Sequence, residues 1–212
     1  MRRKWGVLFW VLVLILPTLA CGLLDSGYDE TFDNDSNWQV NDTDGASATV
    51  ADGVFRFTVT EPEAIYWITD GEQSFGDGTW EVDVTQIAGP VDAGYGLVFR
   101  EDASVDNFYL FQVSTDGFIW IGACYAGCED ITMLVGDGWV ESSDVAVGLN
   151  QRHALRVEST GGDMVFYVND VEVGRATDTS FAEGDLGMLV ETFADGGAVV
   201  EFDNLKFTPP EE

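Results

Sequence analysis

The feature that most constrains this chain is a long succession of short segments with two-residue periodicity, each cut off by a turn dipeptide. From Thr31 to Phe207 apolar and polar residues alternate in brief runs, broken at Asp52-Gly53, Asp70-Gly71, Asp77-Gly78, Asp116-Gly117, Asp137-Gly138, Gly161-Gly162 and Asn169-Asp170. Alternation sends successive side chains to opposite faces of an extended strand. The dipeptides tolerate the left-handed backbone that closes tight hairpins. The pattern predicts strands over 47–50, 54–60, 64–69, 79–87, 94–100, 107–114, 117–123, 130–135, 152–159, 163–168, 171–176, 185–192 and 198–207. No window supports an amphipathic helix beyond a turn or two. Antiparallel strands without helices must bury their faces on one another, so the fold class is all-β. One domain of this length suits a two-sheet antiparallel jelly-roll sandwich better than a barrel, and no fixed-period repeat points to a propeller or solenoid.

The N-terminus reads as an address rather than as part of the fold. Arg2, Arg3 and Lys4 precede an apolar run from Trp5 to Leu16, and Pro17-Thr-Leu-Ala20 leads to Cys21. This is the basic, apolar and small-residue order of an export signal, too short for a comfortable membrane span. Cys21 directly after Ala20 resembles the lipobox of bacterial lipoproteins, which implies lipidation at Cys21 and membrane association through the lipid alone. Thr18 and Leu19 depart from the residues that family favours before its cysteine; an ordinary secretory signal is the alternative. The expected organisation is a signal over 1–20, a tether over 21–30, the sandwich over 31–208 and a tail over 209–212.

Export agrees with the cysteine count. Of the three cysteines, Cys124 and Cys128 remain to pair with each other, pinning a hairpin tip. A zinc site would need further thiols or imidazoles, and there is one histidine, His153, expected to pack in the core. The formal charge is -29, from 9 Lys and Arg against 38 Asp and Glu, with three of the bases at the extreme N-terminus. Such a field repels nucleic acid and anionic headgroups and leaves cations as the favoured small partners. It also serves solubility without any specific partner.

Period-two alternation assigns Trp80, Val82, Val84, Tyr95, Leu97, Phe99, Tyr109, Phe111, Val113, Ile119 and Ile121 to the core. The opposite faces of the same strands present Glu81, Asp83 and Thr85; Gly94, Gly96, Val98 and Arg100; Phe108, Leu110 and Gln112; and Phe118 with Trp120. Carboxylates, a guanidinium, an amide and rings on one face would suit a saccharide, whose C–H face stacks on aromatics while its hydroxyls pair with planar polar groups. Alternatively, Arg100 pairs with Glu81 or Asp83 and a loop covers Trp120, leaving a second packing layer.

His153-Ala-Leu-Arg-Val-Glu, Gly161-Gly162 and Val165-Phe-Tyr-Val-Asn-Asp-Val-Glu-Val173 resemble the meander of concanavalin A-like (laminin G-like) domains. The opening Glu30-Thr-Phe-Asp33 with Trp38, and the closing Gly184-Asp-Leu-Gly-Met188 with Val200-Glu-Phe-Asp-Asn-Leu205, are similar to the ends of the same group. Val91 to Arg100 and Asp106 to Gln112 look closest to its 3-keto-disaccharide hydrolase-like branch, although Leu110 stands where that branch carries an acid. Glu81-Val-Asp-Val-Thr-Gln86 partly resembles the E-x-D-x-x-E strand of family 16 glycoside hydrolases, with Gln86 in place of the second Glu. An amide cannot protonate a leaving oxygen.

The resemblance implies an extracytoplasmic, non-catalytic module binding a glycan or another extracellular polymer. Glu81, Asp83 and Gln112 are expected to hold hydroxyls, Arg100 to orient them and Trp120 to serve as platform. A glycosidase-like enzyme and a structural or adhesive spacer are the alternatives. A structural calcium ion, with Asp203 the leading ligand, is the one metal that the group suggests; the acidic run from Asp33 to Asn37 lacks the glycine of an EF-hand turn.

Overall fold

The computed structural model describes residues 27–33, 38, 42–71 and 73–211. The expected export signal over 1–20, Cys21, most of the expected tether and residues 34–37 lie outside the described residues.

The described residues form fourteen strands and no helix: β1 (Tyr28–Glu30), β2 (Ala46–Ala51), β3 (Val54–Val59), β4 (Ala64–Thr69), β5 (Gly78–Ala88), β6 (Gly94–Asp102), β7 (Asn107–Ser114), β8 (Phe118–Tyr125), β9 (Asp130–Glu141), β10 (Arg152–Thr160), β11 (Asp163–Val168), β12 (Val171–Thr177), β13 (Asp185–Thr192) and β14 (Ala198–Thr208). Asp52 and Gly53, and likewise Asn169 and Asp170, all have positive φ. Two consecutive left-handed residues match the twist of the flanking strands, which is why these pairs close the β2–β3 and β11–β12 hairpins. Tyr28–Glu30, expected to be tether, instead pairs antiparallel with β14, Tyr28 opposite Phe207.

The strands divide into an eight-stranded sheet, ordered β12-β11-β10-β5-β14-β3-β2 with β1 also on β14, and a six-stranded sheet, ordered β4-β13-β6-β7-β8-β9. All pairings are antiparallel. The two sheets stack as the sandwich that the alternation predicts. Each residue assigned to the core from periodicity belongs to the main buried cluster. Rings cross between the layers: Trp80 of β5 lies 5.7 Å from Phe99 of β6, and Phe166 of β11 lies 5.4 Å from Phe111 of β7. Full burial of such a side chain contributes roughly 1.5–3 kcal/mol. His153 is fully buried, as expected; its Nε2 accepts the Ala146 N–H at 3.1 Å, and burial lowers its pKa, keeping the ring neutral.

A second apolar layer covers part of the outer face of the six-stranded sheet. Val98, Phe108, Leu110, Trp120 and Leu189 are buried there beneath Ile65, Trp67, Met133 and Trp139 and beside the Cys124–Cys128 disulfide. Trp67 is held over Phe108, 5.3 Å between ring centroids, because its Nε1 donates to Glu101 Oε1 at 2.7 Å. The sequence divides side chains into inward and outward sets, but it does not reveal that one outward set is itself roofed.

Candidate functional site

The five residues expected to share a site do not converge. Glu81 and Asp83 lie on β5, which pairs with β10 and β14 in the eight-stranded sheet, whereas Gln112 and Trp120 lie on β7 and β8 of the six-stranded sheet. The carboxylates therefore face outward from one layer and the amide and indole outward from the other. Periodicity along a strand fixes in against out, but it carries no information on which sheet a strand joins.

Asp83 is bound to Arg152 and also accepts a hydrogen bond from Asn204 Nδ2 at 2.8 Å. Glu81 sits beside it in a shallow polar groove with Asp29, Arg156 and Lys206. Gln86, three residues beyond Asp83, falls on the opposite face, turned inward and buried. Its Nε2 donates to the Pro90 carbonyl at 2.7 Å and its Oε1 accepts from Thr115, so the amide ties loops together.

Arg100 reaches neither Glu81 nor Asp83. It stands at positive φ beside an irregularity in the β6–β7 pairing and is 1% exposed. Its guanidinium donates to Asp77 Oδ1 (2.8 Å), Ser159 Oγ (2.5 Å) and the Phe181 carbonyl (3.1 Å). This is a clamp that ties two loops and the end of β10 to the end of β6. Trp120, expected as an open platform, is only 8% exposed, and its ring lies so close over Gly122 that a Cβ there would fall 2.5 Å from it.

Asp203, the expected calcium ligand, is opposite Asp83 in the β5–β14 ladder. Burial and the neighbouring carboxylates of Asp83 and Asp33 raise its pKa. The described residues contain no cluster of three or more His, Cys, Asp or Glu side chains able to hold a metal.

A different cleft opens on the outer face of the six-stranded sheet, beside the roofed layer. It encloses about 290 Å³ and is lined by Asp92, Ser114, Asp116, Phe118, Trp139 and Phe193. Phe193 continues into a neighbouring groove lined also by Glu63, Ile65 and Glu191. Local pairing explains the convergence. The Asp116 N–H donates to the Val91 carbonyl at 3.0 Å, drawing the β5–β6 and β7–β8 turns together and bringing Asp92 beside Asp116. Ser114 Oγ donates to Asp116 Oδ1 at 2.5 Å. Phe193, just past β13, meets Trp139 edge-on at 6.2 Å.

Trp139 arrives by a bulge. Val135 pairs with Ile121 and Val140 with Ile119, so residues 136–139 stand opposite Trp120 alone. Gly136 has φ 67, a left-handed turn that lets this stretch loop out and return to register. The indole then lies against Gly94, where a Cβ would collide with Gln112 Oε1 and approach the Trp139 ring within 2.9 Å. Gln112 Nε2 donates to Glu191 Oε2 at 3.2 Å, while Gln112 Oε1 is buried without a partner. Burial raises the pKa of Glu191, opposed by that hydrogen bond.

Of the residues named from sequence, Gln112 underlies this cleft and Trp120 packs in the roofed layer next to it. Trp139, Phe193, Glu191, Asp92 and Asp116 are residues that the alternation pattern does not mark. Asp137-Gly138 reads as a turn that ends the strand at 135, which removes Trp139 from consideration; the Trp at that position, one residue before an apolar pair partner, was the available signal.

No family model matches the chain, and no curated protein matches it in sequence. Solved structures do. The carbohydrate-binding module CBM66 from Bacillus subtilis aligns with 20% identity and a TM-score of 0.54 over 86% of this chain and 95% of that one. The Bacillus licheniformis β-glucanase aligns with 12% identity and a TM-score of 0.63 over 87% and 98%. A Bacillus subtilis protein of unknown function with a galectin-like fold aligns with 14% identity and a TM-score of 0.55 over 86% and 96%. At such identities the likeness establishes the architecture: a concanavalin A-like jelly roll, as the sequence resemblance implied.

Proposed function

We propose that this protein is an exported glycan-binding module that holds a saccharide in the cleft formed by Phe118, Trp139 and Phe193. The carrying observation is that three half-buried rings and the carboxylates of Asp92 and Asp116 converge in one open recess of about 290 Å³. Rings offer a surface to the C–H face of a pyranose; Asp92 and Asp116 accept its hydroxyls. The fold shared with a carbohydrate-binding module and a glucanase supports this reading by analogy. Binding without turnover is the favoured form. Glu81 and Asp83, the pair most like a hydrolytic strand, lie on the opposite sheet from the cleft, and the third position is a buried amide.

Export rests on the basic-apolar N-terminus and on the Cys124–Cys128 bond, which persists in oxidising compartments. Lipid attachment at Cys21 is part of the proposal, with the membrane met only through that lipid.

Affinity electrophoresis of the full chain through gels containing soluble β-glucans, fructans or galactans tests the site. Retardation by at least one polymer is expected, with Trp139→Ala weakening it about ten-fold or more. Paired replacement of Glu81 and Asp83 by Gln and Asn leaves retardation unchanged. If the β5 pair abolishes retardation and Trp139→Ala does not, the cleft is not the site; release of reducing ends during the assay would replace binding by hydrolysis.

A further inference from the structure

The cleft's surroundings specify the charge of its ligand. Beyond the N-terminal signal the chain has six basic side chains. Arg56, Arg152, Arg156, Arg175 and Lys206 lie on β3, β10, β12 and β14, all strands of the eight-stranded sheet. The sixth, Arg100, is buried with its guanidinium turned to Asp77 and Ser159. The outer face of the six-stranded sheet thus carries no cation among the described residues. Its cleft and the adjoining groove present Asp92, Asp116, Glu63 and Glu191.

Hydrogen-bonding capacity points the same way. The Gln112 amide donor is engaged by Glu191 and the Ser114 hydroxyl by Asp116. Carboxylate oxygens only accept at neutral pH. Gln112, whose Oε1 has no partner, is 1% exposed and lies behind the lining residues, its Oε1 and the Trp139 ring both packed against Gly94. The polar side chains that line the cleft are therefore rich in acceptors and poor in free donors, which favours a ligand that brings donors.

Resting on the glycan reading, we infer that the cleft selects a cationic saccharide, one bearing free amino groups, over its neutral counterpart, and rejects uronates and sulfated sugars. An ammonium donates three hydrogen bonds and accepts none, matching an acceptor-lined recess, and it is drawn in by carboxylates that no protein cation neutralises. A uronate would add a negative charge to that uncompensated cluster. The aromatic walls remain available to the sugar's apolar face, so ring stacking and charge act on different parts of one ligand.

Calorimetric titration of the full chain in mild detergent, at slightly acidic pH, tests this with four hexasaccharides: glucosamine, N-acetylglucosamine, glucose and galacturonate. The glucosamine oligomer is expected to bind about ten-fold or more tightly than the glucose oligomer, with no binding of galacturonate. The preference shrinks at about 0.5 M NaCl, where charges are screened within a few ångströms. It also shrinks, read as the ratio of glucosamine-oligomer to glucose-oligomer affinity, in the Asp92→Asn, Asp116→Asn double variant. Equal binding of neutral and amino sugars, still sensitive to Trp139→Ala, overturns the charge selection and leaves the glycan reading intact. A preference that survives the double variant assigns it to the general field of the protein and overturns the cleft's role. Failure of all four to bind, at ligand concentrations that saturate ordinary modules, overturns the selection together with the reading on which it rests.

Discussion

Glu191 illustrates how one side chain can set a local electrostatic cost. It is held against the six-stranded sheet with a single amide donor, and burial raises its pKa. A carboxyl whose folded-state pKa exceeds its unfolded value binds more protons when folded, so stability falls as pH rises through the interval between the two values. Glu191→Gln removes the titration but keeps an acceptor for Gln112. The variant is expected to melt higher than the parent at neutral pH, with the difference vanishing once the pH is below the ordinary glutamate range. Thermal scans across pH measure it, and an undiminished gap at acid pH would exclude this origin. Arg100 teaches a complementary lesson. Its type and position on an outward-facing run suggested a ligand contact, yet the residue has positive φ and its guanidinium is bound to two loops and the end of β10. Backbone hand at a single residue is not written in an alternation pattern.

Among elements, β9 is the most instructive. Thirteen of the strands are legible from two-residue alternation, because burial of one face imposes that period directly. What alternation leaves out is sheet membership and interruption. It cannot separate β5 from β6 into different layers, so the expected site joined Glu81 and Asp83 to Gln112 and Trp120 across the thickness of the sandwich. It also takes Gly136-Asp137-Gly138 as a stop, whereas the strand loops out and resumes with Val140 opposite Ile119. β1 escaped notice because three residues hold too little pattern to recognise. If the bulge alone delivers Trp139, deleting residues 136–138 closes the ladder while moving the indole away from Gly94 and Phe193. The expected outcome is a folded protein, with far-ultraviolet circular dichroism unchanged, that has lost about ten-fold or more of its saccharide affinity. Retained affinity in a folded deletion variant would show that other walls suffice.

For the molecule as a whole, charge is distributed unevenly between the two layers. The bases on the eight-stranded sheet pair locally: Arg56 with Glu201, Arg152 with Asp83, Arg156 with Glu158 and Arg175 with Glu172. Several of these side chains are well exposed, 62% for Arg152 and 65% for Arg175, and such pairs contribute about 0–1 kcal/mol each. Against them stands the mutual repulsion of 38 acids. Repulsion wins on these magnitudes, so added NaCl is expected to raise the melting temperature by screening it. Calorimetric scans from low salt to about 0.5 M test this, since a monotonic fall would mean that the ion pairs dominate. The loop-out in β9 has one further consequence. Residues 136–139 take no part in the pairing that sets register, so this stretch can change length or composition while the surrounding ladder stays in place. Descendants of such a chain can acquire new appetites by altering four residues, leaving the scaffold's inheritance untouched.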